Sequence, residues 1–364
     1  MKGDSAMFYR NYPKTATRAF SAILFLMLIA VWGCGKSNNA GLLQASDVTG
    51  TELGTTTTAS ILLNDVVGDP IPENAVAGNV FKYNMIWDGE ERVSFICLPS
   101  NYDTTTTHAL MLVLHGRGTD GVAKRFAENH SNLRQKAAAR GFVLVFPRAT
   151  TNTNEMVTWN VWGNTDIQPA DDVGFLKELI TQLKAESAID AARVFISGFS
   201  NGGAMTQRFA AEEPNEIRAA ASVCHTSGYR LSTSSDSVWV DLPPPAGPVS
   251  ILLIRGGADH VIPSDGTESH KYPKFYRTPD EQLEYWLTPT EYDGIADSTK
   301  TVVSEDDDPN PFTKRIYADN NKAVGAWFST NLTHHWRDAK YNVGFDINTT
   351  VLSFFENQSN SNQQ

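Results

Sequence analysis

Hydrophobic residues in this chain form short uninterrupted runs that alternate with segments of helical period. Apolar, often β-branched runs are typical of strands buried on both faces, whereas apolar positions three and four residues apart predict helices. Residues 81–99 predict two further strands joined by a turn at Asp88 and Gly89. The alternation predicts a mostly parallel central sheet with helices on both faces. Buried strands are predicted at 108–115, 141–147, 192–198, 219–224 and 249–256, and helices at 122–139, 172–186 and 201–213.

The start of the chain departs from this alternation. Scattered basic residues precede the apolar stretch AFSAILFLMLIAVWG, which is too short and too near the start for an ordinary membrane span and predicts an export signal. Residues Val31 to Cys34 resemble the bacterial lipobox, which implies lipidation of Cys34 and anchoring at the outer membrane or cell surface, with simple secretion as the alternative. Residues 35–75 are polar and threonine-rich, as in a flexible linker.

A folded domain is therefore predicted from residue 76 to residue 357, followed by a disordered tail at 358–364. Within this domain, residues 264–312 are polar and proline-rich and predict an insertion near the carboxyl edge of the sheet, close to the site. The acidic run SEDDDPNPF within it fits a solvated loop better than a calcium site.

Composition narrows the classes of function. The 364 residues are 41% hydrophobic and 20% charged, enough for one large domain with a full core, and a formal charge of −11 argues against a nucleic-acid partner. Cys97 and Cys224 lie in apolar strand-like runs and predict free, buried thiols, although a disulfide between them is the alternative. The sequence does not indicate an oligomeric state.

Ser200 stands where a predicted strand meets a predicted helix, in the pattern Gly198-Phe199-Ser200-Asn201-Gly202. In G-x-S-x-G the serine occupies a sharp, strained turn that exposes its hydroxyl, and the helix N-terminus behind it favours developing negative charge. Ser200 is thus the candidate nucleophile. The alternative is a tight glycine turn with an idle serine.

A serine hydroxyl needs a histidine to take its proton and a carboxylate to orient that histidine. Asp259 follows the strand predicted at 249–256, at the sheet edge where such folds place their chemistry, and is the candidate acid. The histidine pair near the end of the chain follows a strand-like run. His334 is the first choice as base and His335 its main rival.

The loop after the strand at 108–115 predicts an oxyanion hole. His115 and Gly116 would set its turn, so that the backbone N–H groups of Arg117 and Asn201 stabilise the oxyanion. Residues 116–121 also fit the dinucleotide pattern G-x-G-x-x-G. The next strand, however, ends in proline and arginine rather than in the acid that binds a ribose. We therefore predict no nucleotide, metal or other cofactor.

Trp159 and Trp162 lie in a polar loop that follows the strand at 141–147, near the expected cleft. Their rings suit stacking on a feruloyl ring, a sugar or a polyester unit, and packing beneath the loop is the alternative.

Five segments occur in the order LHGRG, ADDVGFLKELI, RVFISGFSNGGAM, GGADHVIP and HHW. Taken together, they resemble the exported polyhydroxybutyrate depolymerase and feruloyl esterase group, related to family 1 carbohydrate esterases in the α/β-hydrolase superfamily. The resemblance implies an α/β-hydrolase fold, Ser200 as nucleophile and Asp259 as acid. It implies His334 as base, because Trp336 stands two residues later, and it places Trp336 at the substrate site.

The function implied by this resemblance is that of an exported serine esterase acting on feruloyl or acetyl esters of plant polysaccharides. A depolymerase of polyhydroxybutyrate or aromatic polyester is the first alternative. A non-catalytic, surface-binding lipoprotein built on a hydrolase fold is the second.

Overall fold

The computed structural model describes residues 80–99, 101–102, 105–163, 168–186, 188–287, 301–304, 312–319, 322–336 and 345–360, all within one compact unit, Thr56–Gln364. The leader with Cys34, the linker at 35–75 and residues 361–364 lie outside the described residues and stay predictions. Within the described ranges, no helix combines the length and the apolarity that a membrane span requires.

Thirteen strands and six helices make up the described part. The strands are β1 Phe81–Trp87, β2 Glu90–Cys97, β3 His108–Leu114, β4 Phe142–Pro147, β5 Ile189–Phe199, β6 Ala219–Val223, β7 Gly228–Leu231, β8 Val240–Asp241, β9 Ser250–Gly256, β10 Lys274–Tyr276, β11 Thr301–Ser304, β12 Phe312–Asp319 and β13 Lys322–Ser329. The helices are α1 Val122–Asn129, α2 Ser131–Ala138, α3 Asp172–Glu186, α4 Asn201–Glu212, α5 Pro279–Leu287 and α6 Ile347–Asn360.

A ten-stranded sheet in the order β1-β2-β4-β3-β5-β6-β9-β13-β12-β11 forms the centre of the domain. Its six middle strands, from β4 to β13, are parallel. Antiparallel strands close both edges, with β1 and β2 on one side and β12 and β11 on the other. The predicted mostly parallel sheet is confirmed, together with the seven predicted strands β1 to β6 and β9.

Helices cover both faces because successive side chains of each buried strand point in opposite directions. In β3, Leu110 and Leu112 enter a core that includes residues of α3, α4 and α5. Met111 and Val113 enter a second core that includes residues of α1, α2 and α6. Strands such as β3 are buried along their whole length, which explains their uninterrupted apolar sequence.

The structure divides the helix predicted at 122–139 into α1 and α2. His130 leaves helical geometry between them, with φ −98° and ψ 43°, and its Nδ1 pairs with the carbonyl oxygen of Phe126 at 2.7 Å. At the other end of the chain, α6 continues to Asn360, beyond the predicted end of the domain at residue 357.

The predicted insertion at 264–312 requires a correction. Helix α5 belongs to the core rather than to a segment laid over the sheet, since Trp286 is fully buried and Leu283 is 4% exposed. Strand β10 joins β7 and β8 in a separate three-stranded antiparallel sheet, and β11 is the last strand of the main sheet. Residues 288–300 and 305–311 lie outside the described residues.

Candidate active site

Ser200 lies in the turn between β5 and α4. Its backbone has φ 54° and ψ −122°, a conformation that L-residues rarely adopt and that strained functional turns use. The Ser200 N–H donates to the Val223 carbonyl oxygen at 2.9 Å, which ties the turn to the end of β6. A side chain at Gly202 would collide with the carbonyl oxygens of Leu114 and His115, so α4 can begin this close to β3 only with glycine there.

His334 lies between Ser200 and Asp259. Its Nε2 is 2.8 Å from Ser200 Oγ, and its Nδ1 is 2.8 Å from Asp259 Oδ2. With the proton on Nδ1, the ring donates to the carboxylate and leaves Nε2 free to accept the serine hydroxyl proton. The structure thus brings together the three residues predicted as a triad.

Asp259 is held by the loop that follows β9. Its second oxygen, Oδ1, accepts the backbone N–H groups of Val261 at 2.9 Å and Ile262 at 2.8 Å, and the residue is 2% exposed. The Ala258 N–H donates to the Leu332 carbonyl oxygen, which joins this loop to the loop of His334. The carboxylate is therefore fixed in orientation.

The neighbouring histidine is directed elsewhere. His335 Nδ1 pairs with the Thr333 hydroxyl at 2.8 Å, whereas His334 points to Ser200. The geometry therefore favours His334 over His335 as the base.

Trp336 is not a cleft residue, and the prediction that it binds substrate is corrected. Its side chain is 2% exposed, and its indole N–H donates to Asn348 Oδ1 at 2.8 Å. Its ring meets those of Phe126 and His130 edge-on in the core. Because Trp336 lies two residues beyond His334, this packing anchors the histidine loop.

The loop of Gly116 and Arg117 passes directly over the nucleophile. A Cβ on Gly116 would lie 3.2 Å from Ser200 Cβ. The buried His115 holds this loop: its Nδ1 pairs with the Gly116 carbonyl oxygen at 2.6 Å, and its Nε2 accepts the Ala149 N–H at 3.1 Å. Burial lowers the pKa of His115 to about 4, so the ring is neutral and can donate and accept at once.

His115 also sets the direction of the Arg117 N–H. A peptide bond is planar, and no cis peptide occurs among the described residues, so the C=O of residue 116 and the N–H of residue 117 point in opposite directions. Since His115 holds that carbonyl oxygen on the buried side, the Arg117 N–H is directed away from it. Sequence reasoning assigned His115 only to the turn and missed this orienting contact.

Asn201, the second predicted oxyanion residue, occupies the first position of α4, where the backbone N–H has no partner within the helix. Its side chain serves another purpose. Asn201 Oδ1 accepts the Trp159 N–H at 2.7 Å and the Thr158 hydroxyl at 2.9 Å. Asn201 thus joins the nucleophile turn to the tryptophan loop.

The two predicted tryptophans both line a cleft of about 270 Å³ that also includes Ser200, Asn201 and Arg117. Trp159 is buried and donates its indole N–H to the His115 carbonyl oxygen at 2.9 Å, so it forms a fixed wall. Trp162 is half-buried and meets Tyr229 edge-on, with ring centroids 5.0 Å apart.

A buried ion pair supports the tryptophan loop from behind. Arg92 Nη2 lies 2.7 Å from Asp172 Oδ1, and both side chains are almost wholly buried. Asp172 Oδ2 accepts the Asn160 N–H at 2.7 Å. Burial raises the pKa of Asp172, and Arg92 and the Asn160 N–H act in the opposite direction. Asp172 belongs to the segment ADDVGFLKELI, for which sequence reasoning assigned no contact.

A second buried cation lies under the acid loop. Arg255 in β9 donates to the Pro263 carbonyl oxygen and to Gln282 Oε1, both at 3.1 Å. Burial lowers the pKa of Arg255 to about 10, although the charge of Asp259 acts to raise it. Gln282 of α5 in turn donates to Gln207 of α4 at 2.9 Å. The polar sequence around α5 gave no signal for this contact.

Cys97 and Cys224 are free and buried, as predicted. The Cys224 Sγ and ligand atoms of Asp259 and His334 all lie within 4.8 Å of one another. Burial raises the pKa of Cys224, which keeps it a neutral thiol beside the triad.

Residues 101–278 match the Phospholipase/Carboxylesterase family, and this range contains Ser200 and Asp259. The strand order, the nucleophile turn and this match all indicate the same fold. This chain has the α/β-hydrolase fold. The resemblance inferred from its motifs is confirmed at the level of the family.

Other proteins match this α/β-hydrolase over part of its length. An esterase of Nocardia uniformis subsp. tsuyamanensis is 34% identical over 43% of this chain and 42% of its own. A bifunctional acetylxylan esterase/xylanase of Neocallimastix patriciarum is 29% identical over 48% of this chain and 22% of its own. Feruloyl esterase C of Emericella nidulans is 27% identical over 46% of this chain and 55% of its own. The matches thus span at most about half the length of these relatives.

A solved structure of an acetyl xylan esterase from Aspergillus awamori shares the fold. It superposes with a TM-score of 0.51 at 14% identity, covering 76% of this chain and 99% of that one.

Proposed function

We propose that this α/β-hydrolase is an exported carboxylic ester hydrolase that works through an acyl-enzyme on Ser200. The observation that carries the proposal is the continuous hydrogen-bonded chain from Ser200 Oγ through His334 to Asp259, with both distances 2.8 Å. The apolar leader and Cys34 support export with a lipid anchor, and simple secretion is the alternative.

The geometry supports the following sequence of steps. Ser200 Oγ attacks the ester carbonyl carbon while His334 Nε2 takes the hydroxyl proton, and Asp259 stabilises the resulting imidazolium. The carbonyl oxygen becomes an oxyanion that the N–H groups of Asn201 and Arg117 stabilise. The C–O bond to the alcohol then breaks, and the alcohol leaves with the proton from His334.

Water completes the cycle on the acyl-enzyme. His334 takes a proton from the water, whose oxygen attacks the acyl carbon, and the same proton returns to Ser200 Oγ as the acid leaves. Ester and water are therefore converted to acid and alcohol. Within the proposal, no step requires a cofactor.

Feruloyl and acetyl esters of plant polysaccharides are the proposed substrates. Relatives named feruloyl esterase and acetylxylan esterase support this choice. The aromatic side chains of Trp162 and Tyr229 in the cleft favour a flat acyl group. A depolymerase of polyhydroxybutyrate or aromatic polyester is the alternative.

The test is labelling by a fluorophosphonate probe together with hydrolysis of p-nitrophenyl butyrate. We expect wild type to react, and Ser200→Ala and His334→Ala to lose about 10³-fold or more in kcat. His335→Ala is the matched control and should keep its activity. A folded wild type that neither labels nor hydrolyses the ester would favour the surface-binding lipoprotein instead.

A further inference from the structure

The charged side chains that line the cleft are both cationic. Arg117 and Lys274 face it, and no Asp or Glu occurs among its described lining residues, although the chain as a whole has a formal charge of −11. Within the described ranges, neither cation forms an ion pair with a carboxylate, whereas other basic side chains, such as Lys177 and Arg277, do. Among the described residues, no carboxylate that lines the cleft therefore neutralises its positive charge.

Lys274 is placed where an ammonium is unfavourable without a counter-charge. It lies in β10, half-buried, with Nζ 3.6 Å from the centroid of the Tyr229 ring. Burial, with a smaller effect from the charge of Arg117, lowers the pKa of Lys274 to about 8. A desolvated cation beside a second cation is stabilised when an anion binds between them.

The cleft lies on the acyl side of the nucleophile. Ser200, Asn201 and Arg117 line it, but His334 does not. In ester hydrolysis the histidine protonates the departing alcohol, so the alcohol leaves on the side of His334. The group that occupies the cleft beside the oxyanion residues is therefore the acyl group.

We propose that the cleft accepts an acyl group that ends in its own carboxylate, as in the half-ester of an aromatic dicarboxylic acid. The inference rests on the proposed esterase function. The ring of such an acid lies against the wall formed by Trp162 and Tyr229, whose rings meet edge-on, and its distal carboxylate pairs with Lys274 and Arg117. Partial hydrolysis of any polyester built from diacids produces half-esters of this kind.

The test compares monomethyl terephthalate with methyl 4-methylbenzoate, two rigid esters that differ by a carboxylate in place of a methyl group. We expect wild type to prefer the anionic ester by about tenfold or more in kcat/KM, which corresponds to about 1.4 kcal/mol. Lys274→Met should reduce this ratio by about tenfold, because its side chain keeps the packing on Tyr229 and loses the charge. Lys271→Met is the control, since Lys271 is exposed and does not line the cleft.

The outcomes separate this inference from the proposed function. A wild type that prefers the neutral ester, or a ratio that Lys274→Met does not change, overturns the inference and leaves the esterase intact. Hydrolysis of p-nitrophenyl butyrate without hydrolysis of either benzoate ester also overturns it. Loss of all three activities together with loss of fluorophosphonate labelling refutes the proposed function itself.

The pH dependence of the preference gives an independent readout. Lys274 is charged below its pKa, so the ratio for the free enzyme should fall as pH rises through about 8. His334 acts on both esters and cancels in the ratio. The other charged or titratable groups that line the cleft with Lys274 are Arg117, His225, Tyr229, Tyr272 and Tyr276. Burial lowers the pKa of His225 to about 3 and raises the pKa of Tyr229 and Tyr276, so these three groups do not titrate near pH 8.

Discussion

His115→Phe tests whether the oxyanion loop is oriented from inside the protein. The substitution keeps a flat buried ring but removes the contacts to the Gly116 carbonyl oxygen and to the Ala149 N–H. The peptide that carries the Arg117 N–H is then free to rotate. If the hydrogen bond of His115 sets its direction, catalysis should fall even though His115 does not touch the substrate.

The size of the effect follows from the two contacts. A buried backbone group left without a partner costs about 1–3 kcal/mol, so with partial relaxation the variant should lose about 2–4 kcal/mol in free energy of unfolding. Complete loss of an oxyanion donor costs about 10²–10³-fold in kcat, and a misdirected donor should cost about 10–100-fold. KM should change little, because the donors bind the transition state more strongly than the ester.

The assay measures kcat and KM for p-nitrophenyl butyrate beside urea unfolding at the same pH. His130→Phe is a matched control, since His130 is also buried and also pairs through Nδ1 with a backbone carbonyl oxygen, that of Phe126. Because Phe keeps the ring that packs against Trp336, the control should lose stability and keep kcat. If His115→Phe loses the expected stability while its kcat stays within about twofold of wild type, His115 is only structural and the orientation argument fails.

Three further predictions concern the supports of the site. Asp172→Asn should lower the free energy of unfolding by about 3 kcal/mol, because it leaves the buried Arg92 guanidinium without its charge partner. Urea titration measures this loss, and an unchanged urea midpoint would contradict the prediction. Trp336→Phe should lower stability by about 1–3 kcal/mol and leave KM for methyl ferulate unchanged, whereas a raised KM would return Trp336 to the substrate site. The free energy of unfolding should fall as pH falls from about 6.5 to about 3, because His115 and His225 stay neutral when folded and protonate when unfolded. Each histidine accounts for about 2 kcal/mol of the loss at pH 5, measured by urea unfolding, and His115→Phe should remove about half of that loss.

The central sheet could be predicted because its parallel strands are buried on both faces. Strands β3, β4, β6 and β9 are therefore mostly apolar along their whole length, a signal that polar half-exposed strands do not give. The glycines of the nucleophile turn were equally informative, since close approach of α4 to β3 permits only glycine at residue 202. Local sequence was enough where burial or backbone geometry left few alternatives.

Other parts depend on contacts that local sequence does not contain. Helix α5 is polar on one side, and only its burial of Leu283 and Trp286 shows that it belongs to the core. Trp336 was placed at the substrate site by the resemblance of the segment HHW to the family motif. The structure shows that its partner is Asn348 in α6, a contact that the local sequence does not indicate.

The catalytic residues of this site depend on features that local sequence indicates, whereas the residues that we infer to set its specificity depend on long-range contacts. The catalytic residues follow buried strands whose carboxyl ends are aligned: Phe199 pairs with Val223, and Val223 with Ile254, so Ser200 and the loop of Asp259 meet at one edge of the sheet. Lys274 belongs instead to a short strand that pairs with β7 in the separate sheet, and nothing in its local sequence predicts that pairing. The charge that we infer to select the substrate therefore comes from the part of the domain that long-range pairing alone positions. Substitutions in β7 and β10 could then change the preferred acyl group while the triad and its geometry stay the same.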